Sequence, residues 1–376
     1  MYIVQKQLKN LKKLISPNKV IIIYGPRRCG KTTILNKFLQ TVNKKYLLVS
    51  GEDIVIQEYL SSQSIIKLKN FIGKNKILVI DEAQKIKNIG INLKLIVDHL
   101  NGISVIATGS SAFDLAQNIG EPLTGRKYTI KLFPLAQLEL AQIETWHETE
   151  ANLETRLIYG SYPEVILADN NNKREKYLKE IISSYLYKDI LELDGLKHSD
   201  KIVRILQLLA FQIGKEVSFS ELGAQLGMSK NTVERYLDLL EKTFVIYKLS
   251  GFSRNLRKEI SKTPRFYFYD NGIRNGLINN FNLLNLRNDI GQLWENYIIS
   301  ERLKKQEYLE IQSNNYFWRT YDQKEIDLIE ERKGILYGYE IKWQAKSIKP
   351  PKNWLETYKN VKFETINKEN YLEFII

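Results

Sequence analysis

Apolar positions along this chain follow two rhythms. Near the start, short unbroken apolar runs alternate with stretches of helical spacing. Val20–Tyr24, Tyr46–Ser50, Ile77–Ile80 and Ile103–Thr108 read as strands, with helices predicted over 32–41, 54–72 and 89–100. Continuous apolar strands separated by helices are the pattern of a parallel sheet buried on both faces. Lys127–Leu132 predicts a further strand, and residues 3–16 a basic amphipathic helix. From 136 to 215 the spacing is helical, broken at Gly160–Pro163 and by a predicted polar loop over 169–176.

Residues 201–270 predict three helices and two strands. KIVRILQLLAFQI, SFSELGAQLG and KNTVERYLDLLEK are the helices, with Gly227 ending the second and Ser229 capping the third. FVIYKLSGF and RFYFYD then supply the strands of a winged helix-turn-helix. The remainder predicts a helix over 291–301 and strands at YFWRT, EIDLIEE and LYGYEIKW, with 342–362 a Lys-rich solvated loop. The expected organisation is an α/β core over 1–135, a helical lid over 136–200, a winged helix over 201–270 and an α/β domain over 271–376.

Between the first strand and its helix stands GPRRCGKTT. Strand, glycine-bounded loop and helix start together make a phosphate-binding loop. The glycines permit a tight turn whose N–H groups converge on an anion, and the helix N-terminus adds partial positive charge. The cradle is Gly25, Pro26, Arg27, Arg28, Cys29, Gly30, Lys31, Thr32 and Thr33. Lys31 is placed to reach the β- and γ-phosphates, and Thr32 to ligate Mg²⁺. The run Ile77–Ile80 ends in Asp81 and Glu82, suited to hold Mg²⁺ and to polarise an attacking water. ATP and Mg²⁺ are the expected ligands.

Three nearby residues carry two readings each. Ser110, with Thr108 behind it, either senses the γ-phosphate or belongs to an ordinary strand-end turn. Arg126 either stabilises transition-state charge, in its own site or across the boundary of a homo-oligomer, or makes a surface ion pair. Cys29 is a nucleophile or a small loop filler.

Composition narrows the classes. The net charge is +13, and the first fifty residues hold eleven Lys and Arg and no Asp or Glu. That favours nucleic acid, here DNA, as the macromolecular partner, against a merely solvated Lys-rich face. The winged helix would offer Lys230, Asn231 and Arg235 to a major groove, with Arg254, Arg257, Lys258 and Lys262 at the wing tip; it can equally pack against another domain. One cysteine excludes an internal disulfide framework and suits a reducing cytoplasm. With three histidines it also argues against zinc. No apolar run approaches the ~20 residues of a membrane span.

A second chemical pattern lies near the end. Glu340 and Lys342 are two apart on one strand and share a face, and Asp327 comes into reach if the preceding strand pairs with it. Two carboxylates of this kind hold Mg²⁺, Lys342 orients a water, and Glu295 on the helix completes the metal set. The alternative is a sheet edge with alternating charges.

DEAQKIKN, ATGSSAFDL and EPLTGR, following GPRRCGKTT, resemble a family of archaeal and bacterial AAA-type ATPases, whose P-loop domain is fused to a long C-terminal region. The resemblance implies that the strand ending in Thr108 lies between the Asp81 strand and the loop strand. Gly160–Glu164 is similar to the family's Gly-Tyr-Pro-Glu segment. Acid followed by acid-x-lysine resembles the restriction-endonuclease-like, PD-(D/E)XK, superfamily, which this ATPase family carries. Its usual proline is missing; Glu325-Ile326 stands before Asp327. The implied function is ATP hydrolysis acting on DNA, or a slow nucleotide-switched regulator with an inactive nuclease-like module.

Overall fold

Five strands pair into one parallel sheet in the order β2-β3-β4-β1-β5, in a computed structural model that describes residues 2–109, 123–186, 199–254, 263–320, 323–344 and 347–376. The strands are β1 (Val20–Tyr24), β2 (Tyr46–Ser50), β3 (Ile77–Asp81), β4 (Ser104–Gly109) and β5 (Lys127–Lys131). Val20 lies opposite Val105 on one side and Lys127 on the other. The Thr108 strand thus separates the Asp81 strand from the loop strand, as the resemblance implied. Alternate residues of β1 face opposite ways. Val20 and Ile22 pack with Leu93 and Ile96, while Ile21 and Ile23 pack with Ile34 and Phe38. Burial on both faces is why β1, β3 and β4 read as unbroken apolar runs, whereas β2 and β5 are partly exposed.

Local chemistry redraws several predicted elements. The first helix spans only Gln7–Leu14, and residues 2–5 before it carry no helical structure. The predicted 54–72 helix is two, Ile54–Leu60 and Ile65–Ile72, because the side chains of Asp53 and Ser64 cap separate starts. Residues 169–176 are not a loop. Asn170 accepts from the Lys173 N–H and starts a helix over Asn171–Glu180.

Helices Ser199–Phe211, Phe219–Leu226 and Lys230–Lys242 follow, with Ser218 and Ser229 as side-chain caps and Gly227 at φ +60° closing the second. Strands β6 (Ile246–Gly251) and β7 (Arg265–Phe268) pair antiparallel. They do not stand alone. β6 also pairs in parallel with β8 (Asn314–Arg319), and the sheet continues through β9 (Glu325–Arg332), β10 (Ile335–Ile341) and β11 (Val361–Ile366). β9 and β10 form the antiparallel meander expected from the sequence. The Lys-rich stretch is not solvated throughout. Helix Lys352–Thr357 buries Trp354 against Phe252, Trp318 and Tyr358.

One helix spans both halves. Ile290–Tyr308 has 19 residues, about 28 Å of axis. Leu293, Trp294 and Ile298 sit in the central core, while Tyr308 enters the core of the parallel sheet. The Phe133 N–H donates to the Tyr308 hydroxyl at 3.1 Å, and the Gln137 N–H to Glu301 at 2.6 Å. Lys304 donates to Glu301 at 2.7 Å and to the Leu135 carbonyl at 3.4 Å. Among the described residues no helix is long and apolar enough to cross a membrane.

Candidate functional site

The loop after β1 is shaped by its glycines. A Cβ on Gly25 would lie 2.2 Å from the Leu132 carbonyl oxygen, so only glycine lets the chain pass the end of β5. Gly30 sits at φ +99°, directly before the helix Lys31–Leu39. Arg28 also takes a left-handed φ, of +64°. The Lys31 ammonium is buried and donates to the Gly25 carbonyl at 2.9 Å and the Pro26 carbonyl at 2.8 Å. Cys29 is buried, and burial pushes its thiol up, which makes it a loop filler rather than a nucleophile.

β3 brings its acidic end to the same place. The Thr32 hydroxyl donates to Asp81 Oδ2 at 2.8 Å, and the Thr108 hydroxyl donates to Asp81 Oδ1. Thr108 in turn accepts from the Glu82 N–H at 3.1 Å. Glu82, at φ +53°, accepts from Gln84 Nε2 at 2.5 Å. Lys31, Thr32, Asp81 and Glu82 therefore converge, as their spacing suggested. Ser110 lies outside the described residues.

A cavity of about 580 Å³ opens on the loop. Arg27, Arg28, Lys31, Thr32, Thr33 and Glu82 give it a polar side, and Tyr2, Ile3, Leu135, Pro163 and Leu167 an apolar one. None of the apolar group was singled out from the sequence. They come from the N-terminal segment, from Leu135 beyond the end of β5 and from the helix Pro163–Leu167, distant in sequence. The signals were the Gly160–Pro163 break and the Gly-Tyr-Pro-Glu resemblance over Gly160–Glu164. Arg28 also meets Glu164 across the cavity, 3.6 Å apart.

Arg126 does not face its own loop. Its carbonyl accepts from Val20 N–H at the start of β1, while the loop follows the end of that strand. Four steps of strand put roughly 13 Å between them. Its guanidinium pairs with Asp98. A role in its own site is therefore overturned by the direction of the parallel strands.

The C-terminal acids also meet. Lys342 Nζ lies 2.7 Å from Glu340 Oε1 and 3.6 Å from Asp327 Oδ2, and Asp327 accepts from the Ile341 N–H at 2.9 Å. Glu295 joins from the long helix, accepting from the Tyr267 hydroxyl at 2.7 Å. Arg265 on β7, not foreseen, lies 3.8 Å from Asp327 and 4.0 Å from Glu295, and pairs with Glu325 at 2.6 Å. Burial pushes Glu295 up to about 8 and Glu340 up to about 7. Two bases thus share the acids' oxygens. Among the described residues no group of three His, Cys, Asp or Glu is arranged to hold a metal ion, so a Glu295–Asp327–Glu340 metal set does not fit as arranged.

The helix Lys230–Lys242 exposes Lys230, Asn231 and Arg235, but also Glu234 and Asp238, and Lys242 donates to Asp238 at 2.7 Å. Its outer face is mixed in charge rather than basic. Arg254 lies over the Tyr358 ring at 5.7 Å, while Arg257, Lys258 and Lys262 fall outside the described residues.

Residues 17–141 match the family model of an AAA domain. Residues 150–284 and 290–371 match two domains of unknown function, DUF8612 and DUF4143. An uncharacterized protein of Mycobacterium tuberculosis is 26% identical over 336 residues, covering 88% of this chain and 72% of that one. One of Methanocaldococcus jannaschii is 26% identical over 383 residues, covering 94% and 82%. A Walker-type ATPase of Pyrococcus abyssi matches in structure at 15% identity over 73% of this chain and 93% of that one, with a TM-score of 0.49, too loose to argue from. The AAA match and the loop geometry agree on an AAA-type P-loop domain with a parallel sheet.

Proposed function

We propose that this domain binds ATP and hydrolyses it with Mg²⁺. The observation that carries the reading is the placement of Lys31, Thr32 and Glu82 on the wall of the 580 Å³ cavity, with Asp81 hydrogen-bonded to Thr32. Thr32 and Asp81 supply the hard oxygen donors that Mg²⁺ takes, already 2.8 Å apart. A Mg²⁺ ion held by them would neutralise phosphate charge. Lys31 exchanges its two loop carbonyls for phosphate oxygens. Thr108 holds Asp81 in place and, through the Glu82 N–H, sets the start of the turn that carries Glu82. Glu82 orients the water that attacks the γ-phosphorus and takes its proton as the bond to the leaving ADP oxygen breaks. Arg126 serves a neighbouring copy's phosphates in a homo-oligomer, since it cannot reach its own. Steady-state phosphate release with Mg²⁺ and ATP tests the reading; no release above that of Lys31→Ala contradicts it.

DNA is the partner favoured by the +13 net charge. In this reading the helices over 199–242 and the β6–β7 pair form a winged helix, and β8–β11 with the long helix form the nuclease-like domain. The ion pairs of Lys342 and Arg265 with the acids favour a module that binds rather than cuts. Such a protein uses its nucleotide state to set DNA binding. Affinity for a DNA duplex should then fall steeply with salt and differ between ATP and ADP. Mg²⁺-dependent cleavage that Lys342→Ala abolishes would overturn the inactive reading.

A further inference from the structure

We propose that Gln5 reads the base of the bound nucleotide, its side-chain oxygen accepting a hydrogen bond from the 6-amino group of adenine. The proposal rests on the nucleotide reading of the loop and adds the residue that selects the base.

Gln5 lies on the segment before the first helix, is 3% exposed and lines the cavity. Its Nε2 donates to the Cys29 carbonyl at 2.8 Å. A carbonyl only accepts, so this bond fixes the amide nitrogen toward Cys29 and leaves Oε1 as the other end. Oε1 is shut off from water and has no hydrogen-bond donor. A buried acceptor left in that state is destabilising, and native folds keep few of them. A ligand that brings a donor relieves the cost.

Position says which part of the nucleotide brings it. A Cβ on Gly30 would lie 3.0 Å from Gln5 Nε2 and 3.1 Å from Oε1. The amide therefore packs on the glycine that precedes Lys31. Tyr2 and Ile3 on the same segment, with Leu135, Pro163 and Leu167, give the cavity the apolar side that a flat base needs. The segment is anchored, since the next residue, Lys6, donates its N–H to the buried Glu139 at 2.6 Å. A fixed acceptor discriminates by chemistry. The 6-amino group of adenine donates, whereas a 6-oxo purine sets a second acceptor against Oε1.

Calorimetric titration of the full chain in Mg²⁺ tests this with ATP, ITP, N6,N6-dimethyl-ATP and tripolyphosphate. The wild type should bind ATP about 10- to 100-fold more tightly than ITP or the dimethyl analogue. In Gln5→Leu, ATP should weaken to the level of those two, which themselves stay unchanged. Equal binding of ATP, ITP and the dimethyl analogue by the wild type overturns the proposal, and needs no variant to fold. So does tripolyphosphate binding as tight as ATP, or a preference for ATP that survives in folded Gln5→Leu. If the wild type binds none of the four, the nucleotide reading itself fails and takes this one with it.

Discussion

The hydroxyl of Thr32 lies 2.8 Å from Oδ2 of Asp81, joining the first turn of the helix after the loop to the end of β3. Two hard oxygens from different elements are thus already paired where a Mg²⁺ ion would take both. Chelating Mg²⁺ should weaken ATP binding about tenfold. Asp81→Asn should make binding nearly insensitive to Mg²⁺. Titrations of both proteins with and without EDTA check this.

Arg126 pairs with Asp98 at the far end of the strands from its own loop. If it serves a second copy, specific ATPase activity should rise with protein concentration in the wild type. Arg126→Ala should be slow and flat across the same range, with ATP affinity kept. Turnover measured over a hundredfold dilution series reads this directly.

Tyr308 carries the long helix into the ATPase core, where its hydroxyl accepts from the Phe133 N–H. Tyr308→Phe keeps the ring and orphans a buried backbone donor. It should cost about 1–3 kcal/mol of stability, seen as a lower denaturant midpoint with an unchanged slope.

How much of this could be read in advance differs by element. β1, β3 and β4 were plain, because strands buried on both faces have no polar positions to blur them. That Lys31 and Thr32 meet Asp81 and Glu82 could be read because the glycine-bounded loop fixes the first pair and the end of a buried apolar run marks the second. Tyr2, Gln5 and Pro163 were not, since long-range folding alone brings residues 2–5 against 163–167. Arg265 was hidden for the same reason: it reaches the acids only because β6 and β7 extend the C-terminal sheet. The Lys352–Thr357 helix was masked by the lysines around it, although Trp354 within it was a sign of burial.

Glu139 lies buried beside the N-terminal segment, facing Lys304 and Glu301 of the long helix, and burial raises its carboxyl from 4.5 to about 7. Two backbone N–H groups, of Lys6 and Ala136, donate to it and only partly offset that burial. A raised pKa means that the folded state binds the proton more tightly. Its contribution to stability is full below about 4.5 and is lost as pH rises to about 7. The loss is about 3 kcal/mol over that window. Urea unfolding between pH 4 and 8 should show the decline in the wild type, with that component missing from Glu139→Gln.

Hydrolysis at the loop turns on Glu82. Single-turnover phosphate release should be measured for the wild type and Glu82→Gln at saturating Mg²⁺–ATP, beside ATP affinity. The expected result is unchanged affinity with hydrolysis slowed by about a hundredfold or more. Equal rates in the two proteins, or no hydrolysis by the wild type, would contradict the account.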